Sequence, residues 1–423
     1  MTAEEAPSSA RLRRRLGTLA LKLLGVALAL YLLLPLFGLR LTRVVRRPVP
    51  LAGSELERSR AAARLGGPAG GPTNLVVFVA DGLGFAHLAA ARAALHGLGG
   101  ASAWDRFTAA GWHRAHSDTG FLVDSAASAT ALATGEPTGI GRVGVDSADA
   151  PLRNLVERAA AAGYRTGIVT DSYVWDATPA AFATHAASRD DAASILAQLA
   201  GSPLDLLVGE LEDVGEGAVP ELEPTLEILR SRFRVFGPDP DGGDGFFEEG
   251  AGELPVAALF SEDQVTDLES TPTLPRLVAA ALARLSSGER PFFLLVESEE
   301  PDSASHRRDF ERLLRGMAAI EAALTSVLDA AAADGETLVL FTSDHETGGL
   351  ALDAGDGTNS SLRALWPTDG HTGTVVPVLA YGPGAERFAG IHATWQLGRL
   401  LAAAVEAPAG SDEPRPEDGP ASW

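Results

Sequence analysis

Residues 74–82 read Asn74-Leu75-Val76-Val77-Phe78-Val79-Ala80-Asp81-Gly82. An unbroken apolar run of this length, rich in β-branched residues, fits a central parallel strand buried on both faces. An acid and a glycine follow at once. Further along, the spacing predicts helices over 83–96, 124–134, 151–162 and 190–200, with strands at 165–170 and 204–208. A helix at 273–286, a strand at 291–297, a long Ala-rich helix inside 306–333 and strands at 337–342 and 375–381 complete the pattern. Strands alternating with helices specify an α/β fold: a three-layer αβα sandwich with a mostly parallel central sheet. Residues 211–265, rich in Gly, Pro, Asp and Glu, break the rhythm and read as a surface excursion.

The rest of the chain is organised around that body, which spans 74–406. Residues 16–39 form an apolar run interrupted only by Lys22, preceded by Arg11, Arg13, Arg14 and Arg15. At ~1.5 Å per residue it can cross a ~30 Å hydrocarbon core, and it reads as one N-terminal transmembrane helix within a basic flank, 1–47. Four arginines on each side leave its orientation undecided by charge. Residues 48–73 read as a linker and 407–423 as a disordered tail.

Composition excludes several functions. There are 34 basic and 56 acidic residues and no cysteine. Residues 48–423 carry 25 basic and 54 acidic residues, a net −29. Such a field repels polyanions, so no nucleic-acid partner is expected. Without cysteine, any metal must be held by Asp, Glu, His, hydroxyls and water.

Ligands of open α/β sheets gather where strands end. Asp81, Glu297, Asp302, His306, Asp344 and His345 follow predicted strands, and His371 precedes one. Asp302 and His306 stand four apart, on one side of a helical turn. Three imidazoles and four carboxylates at one edge favour zinc. Ser125 opens the Ala-rich helix behind a capping Asp124, where free N–H groups favour an anion.

In their order, Asp81-Gly82, Asp124-Ser125-Ala126, Asp176-Ala177-Thr178-Pro179, Arg189, Glu297 with Asp302 and His306, Asp344-His345 and His371-Thr372-Gly373 resemble the alkaline phosphatases. The resemblance covers roughly 74–405 and includes Tyr381-Gly382-Pro383-Gly384-Ala385. It implies two Zn2+ and one Mg2+. Asp302, His306 and His371 would hold the first zinc, and Asp81, Asp344 and His345 the second. Asp81 would also bridge to the magnesium, with Thr178 and Glu297, and Asp176 would orient the magnesium's waters. Ser125 matches the nucleophile and Arg189 the phosphate-gripping arginine. The implied activity is hydrolysis of small phosphate monoesters through a phosphoserine, by a catalytic domain outside the cytoplasm, with a homodimer as a further expectation. Where some members carry Lys or His after the matched aspartate, this chain has Ser303. Two alternatives stay open: a phosphodiesterase of the same superfamily, and a non-catalytic phosphate- or metal-binding module.

Overall fold

The structure, a computed structural model, describes residues 21–22, 24–25, 72–97, 99–211, 222–237, 244–248, 253–261, 264–265, 273–354 and 361–406. The expected membrane segment, linker and tail lie outside these residues, except that Leu21, Lys22, Leu24 and Gly25 are helical and Pro72 and Thr73 lead into the first strand.

Fourteen strands are described: β1 (Asn74–Ala80), β2 (Ala109–Arg114), β3 (Arg165–Tyr173), β4 (Leu206–Leu211), β5 (Arg234–Phe236), β6 (Val256–Ser261), β7 (Phe292–Ser298), β8 (Thr337–Thr342), β9 (Glu346–Thr347), β10 (Ala351–Ala354), β11 (Leu362–Leu365), β12 (His371–Thr372), β13 (Val376–Tyr381) and β14 (Gly390–Ala393). Ten form one sheet in the order β14-β2-β13-β8-β1-β7-β3-β4-β6-β5. All neighbours are parallel except at β13, which runs against both β8 and β2.

Alternation along the strands supplies two cores. Leu75, Val77 and Val79 face one layer with Phe293, Leu295 and Leu340, beneath helices Ser125–Thr134, Leu155–Ala161, Ala177–Ala183, Ala192–Gly201 and Thr394–Glu406. Val76 and Phe78 face the other with Leu294, Val296 and Phe341, beneath helices Leu274–Leu285 and Phe310–Asp334. Both faces are thus dry, as a parallel sheet requires. Helix Phe310–Asp334 is long and apolar enough to cross a membrane, but Leu313, Met317, Ile320 and Leu324 are buried against the sheet, making it a core helix.

One expectation needs correction. The described part of 211–265 is not a surface excursion. It contains helix Leu222–Arg230 and strands β5 and β6, and Val256 to Phe260 are buried in the sheet. Its Gly- and acid-rich surroundings mask a short apolar strand. The long Ala-rich helix expected inside 306–333 is present as Phe310–Asp334. Arg308 takes a left-handed conformation (φ 55°) and separates helix Glu300–Arg307 from Phe310–Asp334.

Candidate active site at the sheet edge

The strand directions bring the chemistry to one edge. Chains leave β1, β7 and β8 there, and the chain enters antiparallel β13 there. Glu297 lies opposite Val79 of β1 and Thr170 of β3. Asp81 follows β1, its N–H donating to the Ser298 carbonyl at 2.8 Å. Gly82 then turns with φ +70°, and a Cβ on it would lie 2.6 Å from the Asp302 Cα. Only glycine combines this conformation with this approach, so Gly82 lets helix Glu300–Arg307 close on the strand end.

Two groups of ligand atoms result. Asp302, His306 and His371 converge in one, and Asp81, Asp302 and His345 in the other, each with its ligand atoms within 4.8 Å of one another. Asp344 belongs with the second group, its Oδ2 lying 3.2 Å from His345 Nε2. The His345 and His371 rings stack, with centroids 3.6 Å and planes 24° apart.

The hydrogen bonds fix which nitrogen of each imidazole is anchored and which faces inward. His371 Nδ1 lies 3.0 Å from the Val123 carbonyl, and His306 Nδ1 is bonded to the Asp369 carbonyl. A carbonyl only accepts, so both Nδ1 atoms carry the proton. His345 Nδ1 is 3.3 Å from Thr347 Oγ1, whose own proton goes to Asp302. All three Nε2 atoms therefore face the carboxylates, His306 Nε2 lying 3.1 Å from Asp302 Oδ2. Imidazoles oriented through Nδ1 with Nε2 bare are the form metals take. Asp81 Oδ1, Asp344 Oδ2 and Thr178 Oγ1 are buried and make no hydrogen bond. Buried polar atoms left so are costly unless an ion completes them.

The charges agree. Burial, then the charges of Asp344, Asp302 and Glu297, push the Asp81 carboxyl well up. Burial, then Asp171 and Asp176, do the same to Glu297. Burial lowers His345, whereas the bond to Asp302 raises His306 to about 9. Asp302, despite burial, is held near 2 by His306 and His345. Like charges crowded this way call for cations between them.

Ser125 begins a wholly buried helix capped by Asp124, which accepts from Ala127 N at 3.0 Å. Its Oγ lies 3.2 Å from His345 Nε2. Arg189 is tethered beside it: Nη2 donates to Asp176 Oδ1 at 2.8 Å, and Nη1 is 3.8 Å from Asp124 Oδ2. Burial disfavours the guanidinium charge, but Asp176 and Asp124 raise its pKa overall. Asp176 also caps helix Ala177–Ala183, which carries Thr178.

A family profile described as Alkaline phosphatase matches residues 72–204 and 245–364. The chain belongs to the alkaline phosphatase family. Among its relatives, the repressible alkaline phosphatase of Saccharomyces cerevisiae is 31% identical over 70% of this chain and 57% of its own length. The alkaline phosphatase of Escherichia fergusonii is 28% identical over 78% of this chain and 85% of its own. Among solved structures, the alkaline phosphatase of the Antarctic bacterium TAB5 superposes with a TM-score of 0.71 at 26% identity, covering 80% of this chain and 99% of that one. A mutant of that enzyme is described with Mg bound.

Sequence reasoning missed the supporting residues of this alkaline phosphatase-like site. Glu346 accepts from Gly349 N at 3.2 Å, Leu350 N at 3.1 Å and the Thr372 hydroxyl, tying the His345 and His371 segments together. Its position directly after Asp344-His345 was the available signal. Ser303 donates to Glu299, which also accepts from Ser172. His113 is a core residue, bonded to Thr394 Oγ1 at 2.9 Å and the Ser343 carbonyl at 2.8 Å.

Proposed function

We propose that this protein hydrolyses small phosphate monoesters by double displacement through a phosphoserine on Ser125. The observation that carries the reading is the set of three inward-facing Nε2 atoms and orphaned carboxylate oxygens beside the Ser125 hydroxyl. Asp302, His306 and His371 would hold one zinc, Asp81, Asp344 and His345 the second, and Asp81, Thr178 and Glu297 a magnesium. Bound there, the two zinc ions supply Lewis acidity, neutralising the attacking and leaving oxygens and lowering the pKa of hydroxyl and water.

The chain's own residues do the rest. Ser125 Oγ attacks phosphorus, forming the Oγ–P bond as the ester P–O bond breaks and the alcohol departs. Water then attacks the phosphoserine, restores the serine and releases phosphate. The planar fork of Arg189 grips two phosphoryl oxygens, and Asp176 and Asp124 hold that fork in place. The helix start at Ser125 adds N–H groups that favour the anion. With four carboxylates, three divalent ions and Arg189 the centre carries +3, so attraction is local even though the body is acidic. The arginine and the Thr178–Glu297 pair favour monoesters over diesters.

The reading includes attachment to a membrane through residues 16–39, with the domain outside the cytoplasm. Ser125→Ala tests the chemistry. It should abolish labelling by a 32P-phosphate ester and most turnover. Near wild-type hydrolysis by that variant would end the proposal.

A further inference from the structure

Phe121 and Leu122 are large, apolar and 56% and 45% exposed. Lone exposed hydrophobics are ordinary, but the position of these two is not. A Cβ added at Gly373 would overlap the Phe121 ring, so the ring rests on the backbone two residues beyond His371. Val123, next but one, gives its carbonyl to His371 Nδ1. Two residues later comes Ser125. One short stretch therefore runs from an exposed aromatic ring, past a metal-ligand candidate, to the nucleophile.

The two ligand groups differ in exposure. The side chains of Asp81, Asp344 and His345 are at most 7% exposed, whereas His306 is 40% and His371 22% exposed. The His306–His371 group is the open one. An ester whose phosphorus is held by Ser125 and Arg189 must extend its alcohol toward that opening. The rim there has two characters. Beyond His306 it is charged, with Arg308 and Asp369 paired at 3.2 Å. Beyond His371 it is formally uncharged over 119–123 and 372–375 and carries the exposed ring.

We infer that Phe121, with Leu122 beside it, seats the alcohol group of the substrate and selects esters of aryl or other apolar alcohols. This inference rests on the phosphomonoesterase reading and names its substrate class. An aromatic group lying on the ring gains contact area that a small polar alcohol lacks.

The test uses non-hydrolysable ligands so that binding is separated from turnover. Phenylphosphonate and methylphosphonate are titrated calorimetrically into the full chain, with zinc and magnesium present, as wild type, Phe121→Ala and Phe121→Trp. The phenyl compound should bind about three- to tenfold more tightly to wild type and to Phe121→Trp, as expected of one aromatic contact. Phe121→Ala should lose that preference with methylphosphonate binding unchanged. A preference that survives Phe121→Ala overturns the inference. So does an equal weakening of both ligands, which would make Phe121 a support of the site rather than a seat. Failure of both phosphonates to bind wild type would also overturn it. An intact phenyl preference without any turnover of phenyl phosphate would instead refute the hydrolase reading.

Discussion

Asp176→Ser separates two roles that one carboxylate performs. Asp176 caps helix Ala177–Ala183 through the Ala177 N–H at 2.6 Å and anchors Arg189 Nη2 at 2.8 Å. Serine is also a good cap, so stability should change by less than ~1 kcal/mol. Serine is too short to reach the guanidinium. A hydrogen bond between charged partners is worth ~1.5–3 kcal/mol, and the Arg189 side chain is 30% exposed. Partial solvent screening and the remaining Asp124, 3.8 Å away, reduce the loss to about 1–2 kcal/mol, or roughly five- to thirtyfold in affinity. The assay is competitive inhibition by inorganic phosphate, with Tm measured in parallel. The inhibition constant should rise by that factor while Tm stays within a few degrees. An unchanged inhibition constant at unchanged Tm would refute the view that Asp176 holds the phosphate-gripping arginine.

Four further outcomes follow from the structure. Chelation should inactivate the protein reversibly and zinc should restore it. Uptake of metal should release protons near neutral pH, because Asp81 and Glu297 are pushed up by burial and His306 sits near 9; calorimetry in two buffers of different ionisation enthalpy measures that release, and affinity should rise with pH. For the metal-free fold the sign runs the other way: raised carboxyl pKa values give stability present below about pH 4 and lost as pH rises through the folded values, so the holo-minus-apo difference in Tm should be larger at pH 8 than at pH 5. Gly398→Ala would place a Cβ 2.5 Å from the Ala131 carbonyl oxygen and 2.6 Å from that of Leu132, so overpacking should cost ~1–3 kcal/mol in denaturant unfolding, whereas an unchanged midpoint would show that the two helices slide apart freely.

Much of the sheet was legible because β1, β7 and β8 are buried on both faces and so are apolar without interruption. β2 was not. Its Ala109-Ala110-Gly111-Trp112-His113-Arg114 sequence alternates in exposure and contains a glycine that faces Gly390 of β14. β6 was hidden by the Gly- and acid-rich chain around it. The convergence of Asp81, Asp302, His306, Asp344, His345 and His371, the candidate ligands, could be read because metal chemistry restricts residue type and sheet topology restricts place. Their supports could not. Val123 and Asp369 act through backbone carbonyls, which any residue provides, and helix Glu300–Arg307 ends at a left-handed Arg308 where no glycine marks the break.

The position of β2 in the sheet order has a consequence for biosynthesis. Among the described residues its sheet neighbours are β13 and β14, both far along the sequence. The helix that begins at Ser125, made soon after β2, is backed by helix Thr394–Glu406, where Gly398 meets Ala131 and Leu132. As the ribosome delivers the polypeptide, Ser125 therefore emerges early and waits for its backing until helix Thr394–Glu406 arrives. A prematurely terminated product can build the β1–β7–β3 half of the sheet, but the serine's own flank stays unassembled.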